Sequence, residues 1–479
     1  MKPKIISTTG SAIEETAFSK FKARVLGQVM IPGEEHYERA RRTWSGMVDP
    51  RHPAMIVRCV TSADVAYAVE FARNSELVIA VRAGGHSLSG DSFCDGGMVI
   101  DVSGMKNHVV DADTCTARAD AGLTVGEFDR ATKPFGLATV MGECPSVGIA
   151  GYTLGGGLGR LVGQHGAGCD NLRSVELVNA DGKMVRASAE ENGDLFWAIR
   201  GGGANFGIVT SLEYQLHRVR EGLAGWLTYP AADLREVLAF VDDYMMSAPD
   251  ELDLDIDIGH PDLMAVAPRM KQPIVNLAIG YCGDVQRGEE AIKPLRAFGK
   301  NIADNIRPMS YFEIQALTDL QPLIDFVSSG GSFALECGFV ERLKPGLIDT
   351  IAAFAVEAPP RVCISLAHYL HGAVCLPASA DSAFVLRRPG YISRILSAWS
   401  QPAQAEVSAD WVQGLDSALK PYAGGTMYLN YLTAGAGDAG VRTAYGSNYD
   451  RLAVLKAKYD PTNFFKSNRN IRPATVSHK

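Results

Sequence analysis

The stretch VRAGGHSLSG, Val81 to Gly90, decides how the chain is read. It follows the apolar run LVIAV and ends that strand in the pair Gly84-Gly85. Consecutive glycines let backbone N–H groups converge on one point and form a nest for phosphate oxygens. Arg82 can add positive charge there, and Ser87 a hydroxyl donor. The same pattern also suits a tight turn around a structural histidine, His86. Pattern alone leaves both readings open.

Outward from that loop, residues 51–217 alternate short strand and helix signals. Thr61 and Asp64 form a capping box, and Val65, Ala68, Val69 and Ala72 follow it as one apolar helical stripe. A second box, Thr124 to Glu127, opens another short helix. SVELVNADGKMVRAS reads as a hairpin turning at Asp181-Gly182. In IVTSLEYQL, Leu212, Tyr214 and Leu216 share a face. The result is a mixed α+β unit. Beyond Arg220–Gly222 the pattern changes: DLREVLAFVDDYM is an amphipathic helix, and strand-like IVNLAIGYC, SFALECGFV and CISLAHYL alternate with helical EEAIKPLRAF and LIDTIAAFAV. That order predicts a sheet covered by helices on one face.

With 479 residues, 47% hydrophobic and 21% charged, the composition is that of a globular enzyme of two or three domains. The net charge of -8 and the lack of a Lys/Arg cluster argue against nucleic acid as a partner. Neither a secretory leader nor a bilayer-length apolar run is visible, so a membrane partner is not expected. The 9 scattered cysteines suit a reducing cytoplasm.

A second glycine-dense stretch, GECPSVGIAGYTLGGGLGRLVGQHG (Gly142 to Gly166), implies backbone packed closely against a ligand. Within it Pro145 biases Cys144 towards an extended conformation. An isolated cysteine is commonly a small buried hydrophobe.

These segments resemble the berberine bridge enzyme-like family of the vanillyl-alcohol oxidase/p-cresol methylhydroxylase (PCMH) flavoprotein superfamily, over nearly the whole chain. RAGGHS resembles its flavinylation loop, which implies a bond from His86 to the flavin 8α carbon. GECPSVGIAGYTLGGGLG resembles its second flavin loop, which implies a bond from Cys144 to flavin carbon 6, as in bicovalent members. NGDLFWAIRGGGANFGIVT (Asn192 to Thr210) and YGSNYDRLAVLKAKYDPTNFFKSNRNI (Tyr445 to Ile471) resemble a third stretch near the cofactor and the C-terminal signature. The resemblance implies FAD contacts from Arg82, Ala83, Gly84, Gly85, Ser87 and Leu88, then from Gly148, Gly151, Tyr152, Gly155, Gly156 and Gly157. Ile208, Val209 and Asn468 complete that set. It implies an α+β fold with an N-terminal extension (1–47), a PCMH-type FAD-binding domain (48–220), an α/β substrate domain (221–438) and a C-terminal segment (439–479) returning to the FAD domain.

The expected chemistry is oxidation of an alcohol or hemiacetal, with oxygen or another acceptor taking the electrons. The rival is a same-fold enzyme acting on a C–N or benzylic C–H bond, and a third reading is a flavin-binding module without turnover. In MYLNYLT the family's Y-x-N-Y arrangement implies that Tyr431 is the base, with Tyr428 structural or lining the substrate. Read as a strand, the segment would point these two rings to opposite faces. A small, even bulky, substrate is the expected partner, and monomer and homodimer both remain open. Two other motifs carry less. Gly435, Gly437 and Gly440 match G-x-G-x-x-G but read as a loop, because no parallel strand follows. Cys363, His368, His371 and Cys375 suggest zinc, but a regular strand would turn the two histidines apart.

Overall fold

The computed structural model describes residues 13–43, 51–259, 273–318, 321–376 and 381–475. Near the N-terminus a four-stranded sheet is ordered Gln28–Met30, Met55–Arg58, Met98–Asp101, Ile79–Arg82, its last three strands parallel. Beside it a five-stranded antiparallel sheet runs His108–Asp111, Thr116–Asp120, Ile208–Gln215, Leu172–Val178, Met184–Ser188. The last two strands are the expected hairpin, with Gly182 at φ +75°. Both capping boxes form, at helices Ser62–Asn74 and Val125–Thr132. Val65, Ala68, Val69 and Ala72 are all fully buried, as the apolar stripe requires.

The second half is an eight-stranded antiparallel sheet that opens at Glu221–Pro230. Helices Leu234–Met245, Val285–Ala297, Pro345–Val356 and Ala405–Leu419 bury one face of it in a single apolar core. Why that face is chosen is plain in the strand LDLDIDIG, Leu252–Gly259. Leu252, Leu254, Ile256 and Ile258 join the core, and by the two-residue period of a strand Asp253, Asp255 and Asp257 turn the other way. Each such Leu or Ile is worth about 1.5–3 kcal/mol when buried. This strand and Gly390–Trp399 were not singled out from the sequence; the acidic alternation of the first masks its apolar face.

The C-terminal segment returns to the first half. Helix Tyr449–Tyr459 and the tail place Leu452, Phe465 and Ile471 in the N-terminal core, and Ser467 bridges Ala80. Buried Lys456 Nζ holds the turn by donating to Asp460 Oδ2 (2.7 Å), Asn205 O (2.7 Å) and Phe465 O (2.9 Å). Two local expectations change. MYLNYLT is a 3-10 turn over Leu429–Tyr431 rather than a strand, because its polar groups bond to the second glycine stretch instead of a ladder. Gly437–Tyr445 is a helix rather than a loop, anchored by buried Ala444 and Tyr445. Among the described residues no helix is long and apolar enough to cross a membrane.

Candidate active site

The two glycine stretches meet backbone to backbone. A Cβ on Gly84 would lie 2.3 Å from Gly148 N, and one on Gly148 would lie 2.4 Å from Gly84 N. Only glycine at both places permits this approach. It carries His86 and Cys144 to one point: Ser146 Oγ is 2.9 Å from His86 Nε2 and 3.3 Å from Cys144 Sγ. Burial, reinforced by the Arg82 cation, lowers the His86 pKa to about 4. Its imidazole is therefore neutral at neutral pH, the form with a free electron pair.

Both residues line a cavity of ≈ 400 Å³ between the glycine loops and the bare face of the large sheet. That volume falls in the range of ligand pockets. Of the residues singled out from the sequence, Ala83, Gly84, Gly85, His86, Ser87, Leu88, Cys144, Gly148, Gly151, Tyr152, Gly155, Ile208, Val209, Tyr431 and Asn468 all line it. Three do not. Arg82 turns away, donating to Ala40 O at 2.6 Å and standing over the Phe93 ring. Its side chain packs behind Gly85 instead, where an added Cβ would lie 3.1 Å from Arg82 Nε. Gly156 packs on Phe384, and Gly157 (φ +87°) gives its N–H to Tyr428 Oη at 3.1 Å. These two glycines shape the wall from behind.

Tyr428 is pinned, since Asn430 Nδ2 also donates to its hydroxyl (2.9 Å) and to Tyr152 O (2.8 Å). A Cβ on Gly155 would collide with Asn430. The Tyr431 ring packs edge-on against Tyr428, 5.0 Å between centroids, and both rings line the cavity, contrary to the opposed faces of a strand. Burial raises the Tyr431 pKa, and Arg394, 6.0 Å from its ring centre, pulls the other way.

Other lining groups escaped the sequence reading: Arg469, Glu143, Asp257, Arg394 and Trp226; His368, weighed there only as a zinc ligand, lines the cavity too. Arg469 reaches from the C-terminal tail to Ser87 Oγ (2.9 Å) and Asp91 Oδ2 (2.8 Å). Asp257 lies on a strand whose register no local motif reveals, and Glu143 lies in the bend of the second glycine stretch. Glu143, Asp253, Asp255 and His368 present ligand-type atoms within 4.8 Å of one another. Arg160 already supplies the cation, touching Asp253 and lying 2.5 Å from Glu143 and 3.4 Å from Asp255. Those carboxylates raise the His368 pKa to about 9 against the effect of burial. The Cys363–Cys375 string does not converge: Cys363 Sγ faces Asp257, while His371 Nε2 meets Leu252 O at 2.8 Å. A bulge at His368, with φ +46°, replaces the regular strand expected there.

A glycine-lined cavity closed by a helix-backed sheet defines a flavin-dependent oxidoreductase once its relatives are considered. Residues 53–188 match the FAD binding domain family, and residues 427–472 match the berberine and berberine-like family. An FAD-linked oxidoreductase of Dictyostelium discoideum is 32% identical over 462 residues, covering 95% of this chain and 96% of its own. (R)-6-hydroxynicotine oxidase of Paenarthrobacter nicotinovorans is 30% identical over 470 residues, covering 94% and 97%. Among solved structures, 6-hydroxy-D-nicotine oxidase from Arthrobacter nicotinovorans superposes with a TM-score of 0.82 at 28% identity, over 94% of this chain and 98% of that one. A chitooligosaccharide oxidase shares the fold, with a TM-score of 0.83 at 24% identity, over 96% of this chain and 100% of that one. The chain belongs to the berberine and berberine-like family of FAD-linked oxidoreductases.

The cavity fits that cofactor. A side chain at Gly151, on the wall, would meet nothing within 4 Å and would fill the space instead. Asn468 Oδ1, on the same wall, is buried with no hydrogen-bond partner of its own. A buried unpaired acceptor is costly, and a ligand donor would satisfy it.

Proposed function

We propose that the chain oxidises an alcohol or hemiacetal carbon, with FAD bonded to both His86 and Cys144 and with Tyr431 taking the hydroxyl proton. The carrying observation is the convergence of His86 and Cys144 on one Ser146 hydroxyl, at the wall of the cavity that Tyr431 also lines. Bound FAD supplies the two-electron acceptor for the hydride leaving that carbon. The chain's own residues do the rest. Neutral His86 offers a nucleophilic nitrogen for attachment, and the Gly84–Gly148 contact holds both attachment loops in place. Tyr428, held by Gly157 and Asn430, fixes the ring edge against which Tyr431 stands. Tyr431 accepts a proton only as its phenolate, and Arg394 is the nearby cation that favours that form. Oxygen or another acceptor regenerates the oxidised cofactor.

A second reading, oxidation at a C–N bond, is favoured by the likeness to (R)-6-hydroxynicotine oxidase. Stopped-flow bleaching of the flavin with alcohols, sugars and amines separates the two. Alcohols or sugars should bleach it, and Tyr431→Phe should slow that step by about 10²–10⁴-fold, the usual share of a general base. Bleaching by amines alone, or a Tyr431→Phe variant as fast as wild type, contradicts the proposal.

A further inference from the structure

The bare face of the large sheet meets the cavity along one lateral row. Asp257, Ser365, Arg394 and Cys337 are successive Cα partners across four strands. Arg394 is half-buried, and it lines the cavity. Its Nη2 donates to Ser365 Oγ at 2.9 Å, and among the described residues no carboxylate lies within 4.0 Å of it. Glu143, Asp253 and Asp255 surround Arg160, and His368 lies 3.4 Å from Asp253. Against the effect of burial, Asp255, Asp257 and Glu143 still act on the Arg394 cation from a distance and raise its pKa. Asp257 is two strand spacings away, about 10 Å, with Ser365 between. Those charges offset part of the cost of withdrawing a guanidinium from water, and a direct anion contact on the cavity side would offset more. Its planar fork matches a carboxylate. Around it Trp226, Leu323, Phe333, Leu335 and Leu396 give the cavity apolar walls.

We propose that Arg394 selects the substrate by charge. It pairs with a carboxylate on the carbon next to the one oxidised, so the pocket takes 2-hydroxy acids with an apolar side chain and rejects alcohols bearing an ammonium group there. This rests on the reading of Tyr431 and FAD given above. The hydroxyl-bearing carbon gives its hydride to the FAD, the hydroxyl proton passes to Tyr431 Oη, and a 2-oxo acid leaves. Arg394 neither gains nor loses a proton.

Mandelate, mandelamide and 2-amino-1-phenylethanol share one hydroxyl-bearing skeleton and carry negative, zero and positive charge at neutral pH. Their binding to the flavin-loaded protein is read from perturbation of the flavin absorption, and anaerobic bleaching is read separately. Wild type should bind mandelate about ten- to a hundredfold more tightly than mandelamide, the span of one charged hydrogen bond. The amino alcohol should bind weakest. Arg394→Met should erase the preference, mandelate binding no more tightly than mandelamide in that variant, and Arg394→Lys should keep part of it. Flavin content and melting temperature establish that each variant is folded. Wild type that binds none of the three, or binds the amino alcohol as well as mandelate, overturns the proposal. So does a mandelate preference that survives Arg394→Met. Mandelate that binds selectively without bleaching the flavin leaves the charge selection standing and counts against hydroxyl oxidation.

Discussion

Tyr431 and Arg394 set the pH behaviour expected of the reaction. Burial holds the Tyr431 phenol above its ordinary value near 10, and the phenolate is the form that accepts a proton. Flavin reduction should therefore accelerate with rising pH across the neutral and mildly alkaline range. Arg394→Met removes the cation that lowers this pKa, so its profile should shift to higher pH, whereas a merely structural role would leave the inflection in place. Reduction rates followed from about pH 7 to about pH 11, a span that passes the ordinary tyrosine value, provide the check. A rate that falls as pH rises would assign proton removal to another group.

At the level of elements, the contact between the glycine loops and the short helix Ile149–Leu154 yield a contrasting pair of expectations. Gly84→Ala puts a methyl against Gly148 backbone that cannot move aside. It should destabilise the protein by about 1–3 kcal/mol, as overpacking does, and lower the flavin content with it. Gly151→Leu enters open cavity, so it should abolish flavin binding while the cofactor-free protein melts close to wild type. Thermal melts beside flavin absorption distinguish the two. Much of this region was legible in the sequence, because paired glycines, capping boxes and the Asp181-Gly182 turn are local signals. The sheet-borne half of the site was not. Asp257 and Arg394 come to line the same cavity as Tyr431 only through strand register, and Arg469 comes from the far end of the chain.

Across the whole molecule, one buried ion network joins the glycine-rich half to the large sheet. Glu143 and Arg160 come from the first, Asp253, Asp255 and His368 from the second. Arg160→Leu strands three buried carboxylates and should cost about 3–5 kcal/mol, seen as a lower midpoint in denaturant. His368 gives the network a pH signature. Its folded pKa, about 9, lies above the ordinary value of 6.5, so its contribution is complete below about pH 6.5 and is lost as pH rises through 9. Wild-type stability should decline across that window, and His368→Gln should flatten the decline. Such a network also fixes where the sheet sits over the cofactor cavity, and so where Arg394 stands relative to Tyr431.

The proposed double attachment holds one FAD to the chain at both His86 and Cys144. The most direct test is the mass and colour of the acid-denatured protein, for wild type, His86→Ala, Cys144→Ala and the double variant. Flavin should remain attached to wild type and to each single variant, and be lost only from the double. Flavin released by acid from the wild-type protein would contradict the account.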